Sequence, residues 1–267
     1  MTAKRVRALP VVEKMYGRGR GTFTIAELQA ELGVSVSATR NALSRLMAKG
    51  EVATPARGFY AVVRPVHRKL GCLPPQDLLP PLMKHWGVKH YYAGLLSAAE
   101  HHGAASEIPQ AFQVVMERSR PPIVCGAVKI VFIARENVDE IPVERFTSYT
   151  GQVPVSTVEA TAVDLVGHMG QYTEGVNQVA GMLRKLAEEM NPKRLAEAAK
   201  LSTPIWGQRL GYLLEYVGAG DKTALLRYVV RKRARNYTKL LPDEDAADAL
   251  RSKDWRLWVN TRIYPDA

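Results

Sequence analysis

Cysteine is nearly missing from this chain of 267 residues: Cys72 and Cys125 stand far apart, without metal-binding or redox spacing. A disulfide framework or a cysteine-built zinc module is therefore excluded. Long apolar runs are also missing, and none approaches the roughly 20 residues of a membrane span. The start, Met1-Thr2-Ala3-Lys4-Arg5, leads into no secretory apolar segment, so the cytoplasm is the expected location. There is no internal repeat and no low-complexity tract. The spaced glycines of Gly17-Arg18-Gly19-Arg20-Gly21 follow no strand, which argues against a dinucleotide fold and for a flexible basic hinge.

Aspartate is absent from the first 70 residues, which hold 13 Lys plus Arg against 4 Glu and so carry +9 of the formal +11. So lopsided a charge suits a polyanion, because neutralising phosphates releases counterions and supplies most non-specific affinity. A membrane surface would need a basic amphipathic helix with exposed large apolar residues, and the sequence has none. With 46% apolar and 24% charged residues, the chain is long enough for two domains.

From Gly21 to Val63 the order of signals is that of a winged helix-turn-helix. Thr24-Ile25-Ala26-Glu27 forms a capping box, with Phe23 and Leu28 placed as its apolar staple. Ile25, Leu28 and Leu32 recur at helical spacing until Gly33 ends the helix. After the turn Gly33-Val34-Ser35, a second helix starts at Ser35 with Val36, Thr39, Leu43 and Leu46 inward. Its other face carries Ser37, Arg40, Asn41, Ser44 and Arg45, side chains that reach base edges and phosphates. Val52–Thr54 and Phe59–Val63 then read as two strands around a four-residue turn, Pro55-Ala56-Arg57-Gly58, with Arg57 at the wing tip.

The expected fold class is α+β: a winged helix-turn-helix domain over residues 1–63, a proline-rich linker over 64–80, and a larger, helix-rich mixed domain over 81–267. In that larger domain, Pro81–Trp86 and Tyr91–His102 read as helices, and Ala111–Met116 and Ala127–Ala134 as buried strands. Ser156-Thr157-Val158-Glu159 reads as a second capping box, and Asn191-Pro192 and Thr203-Pro204 as helix starts.

Two further stretches carry a resemblance. Residues 91–104, Tyr91-Tyr92-Ala93-Gly94-Leu95-Leu96-Ser97-Ala98-Ala99-Glu100-His101-His102-Gly103-Ala104, resemble the central signature of the AbiEi family, the antitoxins of abortive-infection toxin-antitoxin systems. Val155-Ser156-Thr157-Val158-Glu159-Ala160-Thr161-Ala162-Val163-Asp164-Leu165-Val166 is similar to another stretch of that family. With the winged helix, the resemblance spans about residues 20–215 and leaves the last fifty unmatched. It implies a two-domain repressor that binds inverted repeats in its own promoter and counters a nucleotidyltransferase-like toxin, directly or only functionally.

Read without the family, Ser97, Glu100, His101, His102, Glu159 and Asp164 offer groups for proton transfer or metal binding. Their spacing favours structural roles. Adjacent histidines on a helix point about 100° apart and cannot both ligate from one face. Ser97 lacks a strained nucleophile elbow, and Glu159 reads as a capping residue. No catalytic residue, metal or cofactor is assigned.

The expected function is therefore that of a DNA-binding autorepressor and antitoxin, not an enzyme. Arg40, Asn41, Ser44 and Arg45 read the major groove, Ser35 and Ser37 hold phosphates, and Arg57 contacts DNA through the wing. Lys4, Arg5, Arg7, Arg18 and Arg20 are additional phosphate candidates. Arg227, Arg231, Lys232, Arg233, Arg235 and Lys239 form a second basic stretch with two tyrosines, either a nucleic-acid or toxin surface or a helix face balanced by Asp243, Glu244, Asp245 and Asp248. The balanced face is the preferred reading. Expected partners are double-stranded DNA carrying an inverted repeat and a cognate toxin, with no membrane. A preformed dimer and two monomers joining on DNA both stay open. Two alternatives remain: a DNA-targeted nuclease using Glu136, Asp139, Glu140 and Glu144, and a ligand-sensing regulator with no toxin partner.

Overall fold

A computed structural model describes residues 7–264. The chain begins with α1 (Ala8–Gly17), β1 (Thr22–Thr24), α2 (Ile25–Leu32), α3 (Val36–Ala48), β2 (Val52–Ala56) and β3 (Phe59–Val62). It continues through α4 (Pro75–Trp86), β4 (Tyr91–Ala93), α5 (Leu95–His101), β5 (Phe112–Met116), β6 (Ile123–Cys125), β7 (Val128–Ala134), β8 (Val143–Ser148) and β9 (Gly151–Ser156). It ends with α6 (Val158–Gly167), α7 (Val176–Glu189), α8 (Pro192–Lys200), α9 (Pro204–Tyr216), α10 (Ala224–Arg233), β10 (Thr238–Lys239), β11 (Leu250–Ser252) and β12 (Leu257–Val259). The three sheets run β1-β3-β2, β6-β7-β5-β4-β9-β8 and β10-β12-β11, a mixed α+β architecture.

By compactness the chain forms two units. The first comprises the chain through Tyr91 with Arg118–Ile133 and Arg145–Val153; the second comprises Tyr92–Glu117, Ala134–Glu144 and the chain from Pro154 on. The residues expected as a linker, 64–80, thus lie in the same unit as the winged helix.

Within the first unit, the capping box at α2 is complete: the Glu27 amide donates to Thr24 Oγ1, and Glu27 Oε2 accepts the Thr24 amide at 2.7 Å. Gly33, at φ 64°, ends α2, and Ser35 caps α3 by accepting from the Ala38 amide. Leu28, Leu32, Thr39, Ala42, Leu43 and Leu46 are buried between these helices. Val36, expected inward, is 41% exposed, because it falls one step outside the buried arc of α3. Sequence reading also missed α1 and β1. Helix α1 lacks a side-chain cap and an acidic first turn, yet it buries Ala8, Val12, Met15 and Tyr16. Strand β1 has only three residues and pairs antiparallel with β3, Phe23 opposite Tyr60. The wing turn has two residues rather than four, since Ala56 pairs with Phe59 across Arg57-Gly58, with Gly58 at φ 72°. Pro55 is tolerated in β2 because the register shifts between Ala53 and Ala56.

The prolines expected to break helices instead build α4. Pro75 occupies the first turn, where no amide partner is needed, and Pro80 and Pro81 lie inside the helix. Pro81 has no N–H to offer the Asp77 carbonyl, which instead accepts from the Thr150 hydroxyl at 2.6 Å. Asp77 Oδ1 accepts the Tyr149 amide, so the β8–β9 turn replaces the missing helical bond. Cys72 and Cys125, isolated in sequence, are brought together by a close backbone approach: Ala127 donates to the Leu70 carbonyl at 2.7 Å beside Gly71 and Gly126. Hydrogen bonding to Cys125, with burial, raises the Cys72 thiol pKa, while the same bond lowers that of Cys125.

The second unit is organised around α6, whose residues from Glu159 through Val166 are all buried. A helix buried all round must satisfy every polar side chain it carries. Glu159, expected to cap α6, instead accepts the amide of Asn191, the N-cap of α8, at 2.9 Å; Thr157 caps α6. Asp164 accepts from the Tyr92 hydroxyl at 2.8 Å and from Arg135. Arg135 also donates to the Leu201 carbonyl, and Asn137 braces it. The expected helix at 91–102 is a strand followed by a helix: β4 pairs parallel with β9, Ala93 opposite Val155, and α5 begins only at Leu95. Gly94 is required there, since a Cβ would lie 2.8 Å from Val115. Both cap-plus-proline starts appear, at Asn191 and Thr203. The C-terminal sheet is anchored by Trp255, fully buried over Gly211, with its Nε1 donating to Glu215 at 2.8 Å. Gln208 Nε2 donates to the carbonyls of Asn236, Trp255 and Arg256.

Arg135→Met leaves the Asp164 carboxylate buried without its cation and is expected to cost about 3–5 kcal/mol in denaturant unfolding; a loss under about 1 kcal/mol would mean that Asp164 is carried as the neutral acid. His168 packs on the Trp206 and Tyr172 rings, and burial, outweighing the pull of Asp164, holds its pKa below the ordinary 6.5. The unfolded chain therefore takes up this proton first as pH falls. The contribution of His168 to stability is fully present above about pH 6.5 and is lost as pH drops towards the folded pKa. A melting-temperature series across that range should flatten in His168→Gln.

Candidate nucleic-acid interface

Helix α3 buries Thr39, Ala42, Leu43 and Leu46 on one arc. At about 100° per residue, the opposite arc is centred on Ser37, Ser44 and Asn41, with Arg40 and Arg45 at its two edges. All five are exposed, as is Ser35 at the helix start. The arrangement puts a short polar centre between two guanidinium groups, which suits base edges flanked by phosphates. Arg45 Nε donates to the Asn41 carbonyl one turn back, leaving the terminal guanidinium nitrogens at the edge of the face. Ser35 has a structural duty as well, because its Oγ already accepts the Ala38 amide. Arg57 is exposed at the tip of the two-residue turn between β2 and β3.

A surface depression of about 450 Å³ between α1 and α3 brings Arg7 together with Arg45 and Lys49. Sequence reading had named Arg7 without a helix to carry it, and it missed Lys49 as a neighbour. The apolar spacing of Val12 and Met15, three residues apart, was the available signal for α1. The other N-terminal candidates divide. Arg20 pairs with Glu27 at 3.1 Å and Glu31 at 3.3 Å, and Arg18 lies 4.0 Å from Glu31, so part of this charge is answered within the fold. Lys4 and Arg5 lie outside the described residues.

The second basic stretch is largely engaged with its own unit. Arg227 pairs with Glu215, Arg231 with Asp254 at 2.8 Å, and Arg233 donates to the carbonyls of Ala199 and Ser202. Lys232 lies 4.4 Å from the Tyr228 ring centre, and Lys239 donates to the Glu244 carbonyl. Arg235 is exposed. The balance expected from the acids at 243–248 is supplied mainly by Glu215, Asp254 and main-chain oxygens.

The groups considered for catalysis are scattered over separate tasks. Ser97 Oγ is buried and accepts the Gln113 amide at 2.8 Å, Glu100 is exposed on α5, and Glu159 and Asp164 serve α6 as described. Glu136, Asp139 and Glu140 lie between β7 and β8, and Glu144 near the start of β8. One expectation needs correction. His101 ends α5 and His102 is its C-cap, and despite the divergence of their Cβ atoms the two rings meet at the helix end with centres 5.3 Å apart. Both face Glu144, at 3.4 and 3.7 Å.

Two family models match the chain: one described as "Transcriptional regulator, AbiEi antitoxin" over residues 17–63, and one as "AbiEi antitoxin C-terminal domain" over residues 92–216. Together they cover well over half of it. No curated protein matches in sequence. The crystal structure of the RV2827C protein from Mycobacterium tuberculosis is similar with a TM-score of 0.67, over 92% of this chain and 89% of that one, at 16% identity. At that identity the likeness concerns the fold alone.

The two serines of the α3 start can be separated experimentally. Ser35→Ala removes a cap and is expected to lower stability by about 1 kcal/mol. Ser37→Ala should leave the melting temperature unchanged and affect only binding to DNA.

Proposed function

The chain belongs to the AbiEi antitoxin family, and from that premise we propose that it represses its own promoter and counteracts a toxin encoded beside it. The observation that carries the DNA half is the exposed arc of α3, polar at its centre and edged by Arg40 and Arg45. Helix α3 enters the major groove, where the Arg40 guanidinium reads guanine acceptors and the Asn41 amide reads adenine. Ser44 and Arg45 complete the reading face. Ser35 and Ser37 meet phosphates at the helix start, Arg57 meets the backbone or minor groove from the wing, and Arg7 with Lys49 extends the phosphate track. The operator is an inverted repeat read by two copies of the chain, each residing in the cytoplasm.

The larger helical part supplies the neutralising half, against a nucleotidyltransferase-like toxin. This assignment rests on the family, and the chain's own chemistry is consistent with a binding role: the polar groups of α6 are consumed in holding the unit together. No hydrolytic step is assigned to Glu136, Asp139, Glu140 or Glu144.

The test is a gel-shift series on the chain's own upstream region. Arg40→Ala is expected to cost about 1–3 kcal/mol on the preferred site and to relax base preference there. Arg57→Ala should weaken all sequences more evenly and reduce the salt slope. An Arg40→Ala chain with affinity and preference both intact would sink the assignment of α3. The neutralising half is read separately, by growth rescue on co-expression with the adjacent gene.

A further inference from the structure

We propose that His101, His102 and Glu144 form a binding site for a zinc-like divalent cation, three protein ligands with one coordination position left open. The site lies wholly within the second unit and does not rest on the DNA-binding reading. Among the described residues, these three make up the group of histidine, cysteine and carboxylate side chains with metal-holding spacing: one ligand atom from each, all within 4.8 Å of one another.

A tetrahedral ion with Zn–N of about 2.0–2.1 Å and Zn–O of about 2.0–2.2 Å separates its ligands by about 3.3–3.5 Å. Glu144 Oε1 lies 3.4 Å from His101 Nε2 and 3.7 Å from His102 Nδ1. Two edges of the ligand triangle are thus close to their bound lengths. The third edge, between the two imidazoles, is no longer than 4.8 Å.

The main chain fixes the proton on His102. Its Nε2 lies 2.8 Å from the main-chain carbonyl of Ser156, an atom that only accepts, so Nε2 carries the hydrogen. In the neutral ring, Nδ1 then holds a lone pair, and it is aimed at a carboxylate oxygen. Two acceptors facing each other repel unless a positive charge lies between them. A ligating histidine ordinarily donates its other N–H to a carbonyl or carboxylate, which fixes the ring and makes the free nitrogen a better donor to metal. His102 has this arrangement already, with its side chain only 6% exposed. The mixed imidazole and carboxylate set suits zinc better than magnesium or calcium, which prefer oxygen. Glu144 is half exposed, so the fourth position opens to solvent, as in zinc sites that hold water or an incoming ligand. The ion would tie the C-terminal end of α5 to the start of β8.

The test uses the whole untagged chain of 267 residues, stripped with a chelator and titrated with Zn²⁺ against a chromophoric competitor, then with Co²⁺ as a spectroscopic stand-in. One ion per chain at micromolar or tighter affinity is expected, with visible Co²⁺ bands of tetrahedral type. His101→Ala and Glu144→Gln should each loosen binding by at least about tenfold, the smallest effect usual for losing even a group that only orients a ligand. Circular dichroism checks that both variants fold. Absence of micromolar binding overturns the proposal and leaves only a contact between the two imidazoles and the carboxylate in its place. Binding that survives in either folded variant overturns it as well, because three ligands would then not be required.

Discussion

The Asp164 carboxylate, 1% exposed in the middle of a helix buried on every side, is the constraint on which the second unit depends. Burial pushes its pKa up, and the charge of Arg135 and the bond from Tyr92 pull the other way. A carboxylate so placed cannot be left to water, which fixes the positions of several otherwise unrelated segments. Tyr92 must arrive from β4, Arg135 from the end of β7, and the Leu201 carbonyl from the end of α8 to satisfy the guanidinium's remaining hydrogens. An apolar residue at 164 would fill the same space without needing any of them, and buried pairs are often replaceable in that way at no loss of stability. What the pair adds is a condition on arrangement: a rival packing of these elements that separated the two charges would strand both.

A second pattern, in the first unit, decides which positive charges are free to act. Arg18 and Arg20 are partly answered by Glu27 and Glu31, and Glu27 is itself committed to the cap of α2. Arg40, Arg57 and Lys49 are exposed, and no ion pair to a carboxylate is formed by them among the described residues. The formal charge therefore overstates the field near Gly17–Gly21 and leaves it least diminished along α3 and the wing. A polyanion would be drawn to that side of the winged helix, by forces that act over about 8–10 Å at physiological salt.

How much of this was legible in sequence follows from how local each signal is. The capping box at Thr24, the left-handed glycine at Gly33 and the cap at Ser35 are each decided within four residues, and the structure has all three. The exposed arc of α3 needed only the helical period. Helix α1 lacks a capping side chain, so its one local mark is the apolar spacing of Val12 and Met15, and what makes that spacing a buried face is what packs against it. The prolines of α4 misled for a related reason: a helix tolerates Pro81 when a distant hydroxyl, Thr150, takes the carbonyl it strands, and nothing near residue 81 announces residue 150. Glu159 looked like a cap because glutamate three residues after Ser156 fits the pattern, but the cap is Thr157, one residue later, and that single step freed the carboxylate for Asn191.

The two histidines carry the same lesson to the chemistry. Adjacent residues on a helix point their Cβ atoms about 100° apart, but two long side chains at a helix end can still converge on a group beyond it. His101 is the last residue of α5, and His102, as its cap, turns its Nε2 to the Ser156 carbonyl and its Nδ1 to Glu144. The bond to Ser156 is therefore what converts a pair that helical geometry would separate into one that can share a third group. It also ties the readiness of that cluster to the fold, because Ser156 ends β9 and passes directly into the cap of α6. A change that shifted the start of α6 would move the Ser156 carbonyl, release the His102 ring, and disperse the cluster without touching any of its three members.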